Sequence, residues 1–124
     1  MIGYVTLGTN DLERAAAFYE AVLACAGAKK FSTSDRMVVF GVTPDAPILA
    51  VCTPFDQKEA SVGNGVMIAL KVDSRENVDE MHALALELGA RDEGAPGPRG
   101  EAGGHFGYFR DLDGNKLVAA YMAE

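Results

Sequence analysis

The sequence predicts an α+β fold built from two similar halves, each consisting of a strand, a helix and then further strands. Sliding the first half along the chain by 63 residues places its opening strand on that of the second half, with Tyr4 on Met67. A strong hairpin signal closes the chain, because Asp113-Gly114 lies between two apolar runs and glycine accepts the positive φ of a tight turn. Two copies of one unit that bury each other's apolar faces are expected to form a single domain.

The first half begins with the alternating run Tyr4–Gly8, which is typical of a strand, and residues 9–11 can cap the helix that follows. Apolar residues at helical spacing then define one helix face, which ends at Gly27. This face contains Leu12, Ala15, Ala16, Tyr19, Val22, Leu23 and Ala26. Three further strands are predicted at residues 30–34, 37–42 and 48–53.

The second half repeats this order with a strand at residues 66–72 and a capping box that starts at Asp73. A second helix face follows and ends at Gly89. It contains Val78, Met81, His82, Ala85 and Leu88. Residues 92–104 hold five glycines and two prolines, which predicts a long loop before the closing hairpin.

These boundaries divide one domain, residues 1–124, into module 1 (1–56), a polar linker (57–65) and module 2 (66–124). The net charge of −7 argues against nucleic acid and anionic membranes as partners and permits a cationic ligand. The N-terminus has no signal-peptide pattern, and no run is long enough to span a membrane. Cys25 and Cys52 lack metal-binding spacing. We therefore expect reduced thiols in a cytoplasmic protein.

Two motifs resemble the vicinal oxygen chelate superfamily, which includes glyoxalase I, bleomycin resistance proteins, fosfomycin resistance enzymes and extradiol dioxygenases. The first is NDLER at residues 10–14, followed by Phe18-Tyr19. The second is DLDGNKL at residues 111–117, in which Leu112 replaces the proline of the family's usual motif, Asp-Pro-Asp-Gly-Asn. The resemblance implies two βαβββ modules that form a curled mixed sheet around a concave cavity. It also implies a homodimer, although the two modules could instead close one cavity within a single chain.

Metal-dependent members of that superfamily hold a divalent ion at four positions, two in each module. By motif alignment these positions are Tyr4, Leu49, Met67 and Val118. Leu49 and Val118 have no donor atom, Met67 offers only a thioether, and the Tyr4 phenol is a poor ligand near neutral pH. The chain has only two histidines and no pattern that compensates. The sequence therefore predicts no metal and no cofactor.

Alternation along the strands predicts which side chains face the cavity, and it gives an apolar surface with a few phenols and hydroxyls. Such a surface is typical of a small-molecule site. The predicted ligand-binding residues are Tyr4, Thr6, Leu49, Met67, Ala69, Arg99, His105, Tyr108 and Val118. The alternative is that these side chains simply fill the cavity as core.

Arg99 and His105 lie in the glycine-rich segment that, by the resemblance, borders the cavity mouth. Arg99 could hold an anionic group of a ligand, and His105 could act as an acid or base. The alternative is a solvated arginine and an ordinary loop histidine.

Four functions are compatible with the sequence. The first is a metal-free protein that binds a small, partly apolar molecule, as bleomycin resistance proteins do. The main alternative is a lyase or isomerase of glyoxalase type. It would use Tyr108, His105 or Tyr4 as acid or base, or an atypical metal site. A standard glyoxalase or dioxygenase is disfavoured because the family's ligands are missing, and an interaction module is the fourth possibility. Whether the chain is an enzyme stays open at this point.

Overall fold

The computed structural model describes residues 1–100 and 103–123 and has the predicted pair of βαβββ modules. The elements in chain order are β1 (Tyr4–Gly8), α1 (Leu12–Ala24), β2 (Lys29–Thr33), β3 (Met37–Gly41), β4 (Ile48–Cys52), β5 (Ile68–Lys71), α2 (Arg75–Glu87), β6 (Arg91–Arg99), β7 (Gly104–Arg110) and β8 (Lys116–Tyr121). None of the described helices is long and apolar enough to cross a membrane.

Each module forms its own four-stranded mixed sheet, and neither sheet is closed. The strand orders are β1-β4-β3-β2 and β5-β8-β7-β6. In both sheets the opening strand of the module pairs in parallel with its last strand, and the other pairs are antiparallel. The parallel pair brings the first and last strands of each module together, whereas the helix crosses from the opening strand to the strand at the opposite edge of the sheet.

The helices begin at short side-chain caps. Asp11 caps α1 by accepting a hydrogen bond of 3.1 Å from the backbone N–H of Arg14. Ser74 caps α2 in the same way, accepting 3.1 Å from the N–H of Asn77. The predicted cap at Asp73 is therefore wrong by one residue, since Ser74 is the residue with an extended backbone before the first helical turn.

The loop predicted at residues 92–104 is wrong over residues 92–99, which belong to strand β6, and its residues 101 and 102 lie outside the described part of the chain. This strand lies at the edge of the second sheet and pairs only with β7, so Pro96 and Pro98 interrupt no ladder on its other side. The register shifts on both sides of Gly94, which marks bulges in the strand. Glycine and proline therefore shape this edge strand, whereas the sequence pattern alone indicated a loop.

One hydrophobic core lies between the two sheets and is filled by the two helices, which contact each other. Each helix covers one face of its own sheet with fully buried side chains. The largest of these core side chains are Tyr19, Phe40, Phe109, Met81 and Leu117. Since the helix-covered faces point into this shared core, the other face of each sheet points away from the other module.

The closing turn, residues 111–115, is held together by the side chain of Asp111. Its Oδ1 accepts hydrogen bonds of 2.9 Å from the N–H groups of Asp113 and Asn115, which forms an Asx turn. Its Oδ2 accepts 2.9 Å from Nδ2 of Asn115. Gly114 takes φ 93°, the left-handed conformation that the hairpin signal in the sequence required.

The same turn also joins module 2 to module 1. Asn115 Nδ2 donates to the carbonyl of Gly8 at 3.0 Å, and Asp113 Oδ1 accepts from the N–H of Asn10 at 3.0 Å. The buried hydroxyl of Tyr19 donates to Asp111. Burial and the adjacent carboxylate of Asp111 raise the pKa of Tyr19 well above its ordinary value of 10.0. The turn therefore fixes how the two modules sit against each other.

Candidate functional site

The face of the first sheet opposite α1 is apolar, and among the described residues no helix or strand packs against it, although Ala50 in its middle is only 2% exposed. Tyr4 pairs with Ile48, and Thr6 pairs with Ala50, so these four side chains share that face. The Tyr4 side chain is 66% exposed. We call this surface the first open face. It consists of Tyr4, Thr6, Phe31, Val39, Ile48 and Ala50.

The second sheet has an equivalent surface, which we call the second open face. Val118 pairs with Ala69 on one side and with Tyr108 on the other, which places all three side chains on one face. Met67 directly precedes β5 and is 43% exposed. The apolar and aromatic members of this face are Met67, Ala69, Phe106, Tyr108, Val118 and Ala120.

Leu49 is the predicted site residue whose orientation was wrong. It pairs with Val5 and lies in the core beneath α1, with 7% of its surface exposed. The motif alignment matched Leu49 with Val118, but the first connection, residues 42–47, is one residue longer than the second, residues 111–115. A slip of one residue exchanges the two faces of a strand. The register makes Ala50 the true counterpart of Val118.

His105 is also placed differently from the prediction. It lies on the helix-covered face of β7, where its Nε2 is 2.9 Å from Oδ1 of Asp79 on α2. Its side chain is 15% exposed. A histidine on this side of the sheet does not reach a ligand on the second open face. His105 is therefore not a candidate acid or base for such a ligand.

His82, the other histidine, is a packed residue of the core side. Its Nε2 lies 3.1 Å from the carbonyl oxygen of Tyr108 and 3.2 Å from Oδ1 of Asp92. The hydrogen bond from the N–H of Gly94 and, to a lesser extent, His82 lower the pKa of Asp92. These contacts anchor α2 to the edge of the second sheet.

Arg99 does lie beside the second open face, as the sequence predicted. Its guanidinium carbon is 5.7 Å from the centre of the Tyr108 ring, and Lys116 Nζ is also 5.7 Å from that centre. Sequence reasoning missed Lys116, although it is two residues before Val118 and alternation places both on one face. Tyr108 is therefore the aromatic centre of a patch that bears two cations.

Within residues 1–100 and 103–123, each open face lies on the side of its sheet away from the core that the two helices share, so the two faces do not meet across that core. Two surface clefts lie elsewhere in the described chain. One of about 450 Å³ lies between α1 and the β2–β3 edge and is lined by Leu12, Lys30 and Val38 among others. The other, of about 340 Å³, is lined by Asn10 and Pro54 among others. Neither contains a predicted site residue.

The four positions that the resemblance gives for a divalent ion hold Tyr4, Ala50, Met67 and Val118 once the register replaces Leu49. Correcting Leu49 to Ala50 leaves that position without a donor, and Val118 and Met67 contribute no oxygen or nitrogen ligand. Within residues 1–100 and 103–123, no group of three or more His, Cys, Asp or Glu side chains is arranged to hold a metal.

Comparison with family models and solved structures agrees with this architecture. Residues 1–118 match the model of the glyoxalase/bleomycin resistance protein/dioxygenase superfamily. The chain belongs to this superfamily. A glyoxalase/bleomycin resistance protein from Albidiferax ferrireducens T118 is 30% identical, with a TM-score of 0.91 and 99% of each chain covered.

Two more distant superfamily structures share the fold. A glyoxalase-related enzyme from Fulvimarina pelagi is 21% identical, with a TM-score of 0.76 and 98% of this chain and 87% of that chain covered. A lactoylglutathione lyase from Agrobacterium tumefaciens is 22% identical, with a TM-score of 0.70 and 98% and 92% covered. A comparison with curated proteins finds no match. Superfamily membership fixes the fold of this chain, whereas its activity depends on its own site residues.

Proposed function

We propose that this protein binds a small, partly apolar molecule without a metal ion, in a cavity formed between two copies of the chain. The first open face of one copy would form one wall, and the second open face of the other copy would form the opposite wall. The observation on which this rests is the pair of uncovered apolar sheet faces, with Tyr4 66% and Met67 43% exposed. Apolar surfaces of this kind mark interaction or ligand-binding sites in soluble proteins.

A symmetric homodimer makes use of both faces at once. In such a dimer, a two-fold axis would set the first open face of each copy against the second open face of the other. Such a dimer would contain two equivalent cavities. Each would be lined by apolar side chains and by the hydroxyls of Tyr4, Thr6 and Tyr108, which is the usual composition of a small-molecule site.

The chemistry of the walls favours binding without a metal. Ala50, Met67 and Val118 stand where metal-dependent relatives need oxygen or nitrogen donors, and the Tyr4 phenol alone is too weak a ligand. We also propose a cytoplasmic location, for which the free thiols of Cys25 and Cys52 are suited.

Light scattering after size exclusion tests the dimer, with Ile48→Lys as the disruptive variant. Ile48 lies on the first open face between Tyr4 and Phe31. A buried lysine there should leave a folded monomer, whereas the wild type should elute at twice the chain mass. Lys58→Gln, on the linker, is the matched control and should remain a dimer. A wild type that stays monomeric at about 100 µM, well above typical dimer dissociation constants, would overturn the proposal.

Metal analysis and a neutral aromatic probe test the cavity itself. Purified protein should contain far less than one zinc, iron, manganese or nickel per chain. Phenylacetamide should bind, and Tyr108→Phe should weaken its binding by roughly fivefold through loss of one hydrogen bond. Stoichiometric metal would sink the metal-free assignment, and equal affinity in the variant would remove Tyr108 from the site.

A further inference from the structure

The positive charges of this acidic chain are concentrated on the second open face. Five of its 11 lysines and arginines lie there, by strand register or by side-chain position. These five are Lys71, Arg91, Arg99, Arg110 and Lys116. The strands of the second sheet contain only two carboxylates, Asp92 and Glu93, and Asp92 is turned towards His82 on the core side. The second open face therefore has four positive charges in excess.

Ion pairing neutralises only one end of this face. Glu93 contacts both Arg110, at 2.9 Å, and Arg91, at 3.6 Å. Arg110 also donates 2.9 Å to the carbonyl of Gly114. Among residues 1–100 and 103–123, Arg99 and Lys116 form no ion pair. These two cations flank the ring of Tyr108, so the unneutralised charge lies beside the candidate ligand surface.

The guanidinium of Arg99 is held in place by the backbone of its own strand. Its Nη2 donates 3.0 Å to the carbonyl of Ala95, and its Nη1 donates 3.1 Å to that of Pro98. A Cβ atom at Gly97 would come within 3.2 Å of Nη1, so glycine leaves the room that the side chain occupies. Two hydrogen bonds leave three of the five guanidinium N–H donors available to a ligand.

The wall proposed to face this patch offers no compensating charge from its strands. Strands β1 to β4 contain no aspartate or glutamate, and their only charged residues are Lys29 and Lys30. A cavity between the two open faces would therefore be lined by cations and apolar groups. Burying unpaired cations is costly unless an anion enters with them.

We propose that the molecule bound in this cavity is a small organic anion. Its carboxylate or phosphate oxygens would contact Arg99 and Lys116, and its apolar or aromatic part would pack against Tyr108 and Ala69. Guanidinium groups bind both kinds of oxyanion through paired N–H donors. The inference rests on the proposed function. It predicts an anionic ligand, whereas the chain's net charge of −7 by itself permits a cationic one.

Four probes of one shape test the charge preference: phenylacetate, phenyl phosphate, phenylacetamide and phenethylamine. In calorimetric titrations of the intact protein, each anion should bind about tenfold or more tightly than the amide, and the amine should bind least. Arg99→Gln and Lys116→Gln should each reduce the preference for anion over amide about tenfold. Lys58→Gln removes one positive charge from the linker and should leave the preference unchanged.

The outcomes separate this inference from the proposed function. If the amide or the amine binds as tightly as phenylacetate, the protein is a small-molecule binder without anion preference and the inference is wrong. If none of the four probes binds, both proposals fail. If Lys58→Gln reduces the preference as much as Arg99→Gln does, the effect reflects overall charge, and the assignment to Arg99 and Lys116 is wrong.

Discussion

The two modules share one topology but differ in how each closes its last hairpin. The first connection, residues 42–47, has exposed side chains at Thr43, Pro44 and Asp45. The second, residues 111–115, buries Asp111 and Asn115 and binds the start of α1 in the other module. A duplicated unit thus keeps its strand order, while one copy of the turn has become the joint between modules.

The open faces differ in the same way. The first is apolar, with no carboxylate in its strands, whereas the second bears five cations, two of which flank the Tyr108 ring. Both helix-covered faces pack into one core, although that of module 2 also carries the contacts of His82 and His105. The open faces therefore show the clearest difference in charge between the modules.

The largest predicted difference between modules is the effect of removing the turn aspartate. Asp111→Ala should lower the free energy of unfolding by about 4 kcal/mol, because the Tyr19 hydroxyl and the Asn115 amide each lose a buried partner worth about 2 kcal/mol. Urea denaturation followed by circular dichroism measures this loss. Asp45→Ala changes the exposed turn of module 1 and should have a small effect.

Equal losses in Asp111→Ala and Asp45→Ala would mean that the closing turn is not a joint. A loss in Asp111→Ala confined to the folding of module 2, with an early transition and module 1 intact, would also contradict the shared core. The expected result is one cooperative transition in both variants, at lower urea concentration for Asp111→Ala.

Much of this fold follows from local signals in the sequence. Helical spacing identified the buried faces of both helices except at Leu88, which is 40% exposed at the end of α2. Asp113-Gly114 identified the last hairpin. Strand β6 was missed because its glycines and prolines are loop formers, and only pairing with β7 holds them extended. Long-range pairing of this kind leaves no periodic signal in the segment itself.

The candidate site was predictable on one module and not on the other. Alternation from Val118 placed Ala69 and Tyr108 on one face, as the register has them. The alignment placed Leu49 on the wrong face, because the lengths of the connections at residues 42–47 and 111–115 decide which face each last strand presents. Lys116 was within reach of the same alternation. How the two open faces are placed relative to each other depends on the contact between α1 and α2, and no local pattern in the sequence encodes that contact.

A smaller loss is expected for Leu49→Ala, which tests the corrected register. Truncating this core side chain should lower the free energy of unfolding by about 3 kcal/mol, and Leu117→Ala in module 2 should do the same. Neither variant should change the oligomeric state or the affinity for phenylacetamide, as measured by light scattering and calorimetry. If Leu49→Ala kept its full stability but bound phenylacetamide more weakly, Leu49 would lie on the open face, and the structure would be contradicted.

The smallest predicted effect is the alkaline sensitivity that Tyr19 confers on the joint. Its pKa is raised in the folded state, mainly by burial and then by the carboxylate of Asp111. Above pH 10 the unfolded chain therefore releases a proton that the folded chain retains, so stability falls as pH rises, by up to about 1.4 kcal/mol per pH unit. Urea denaturation between pH 9 and 11, about one unit either side of the ordinary tyrosine pKa, should show a shallower decline in Tyr19→Phe than in the wild type. Tyr4→Phe changes an exposed phenol and should keep the wild-type slope; equal slopes in all three proteins would exclude Tyr19 as the cause.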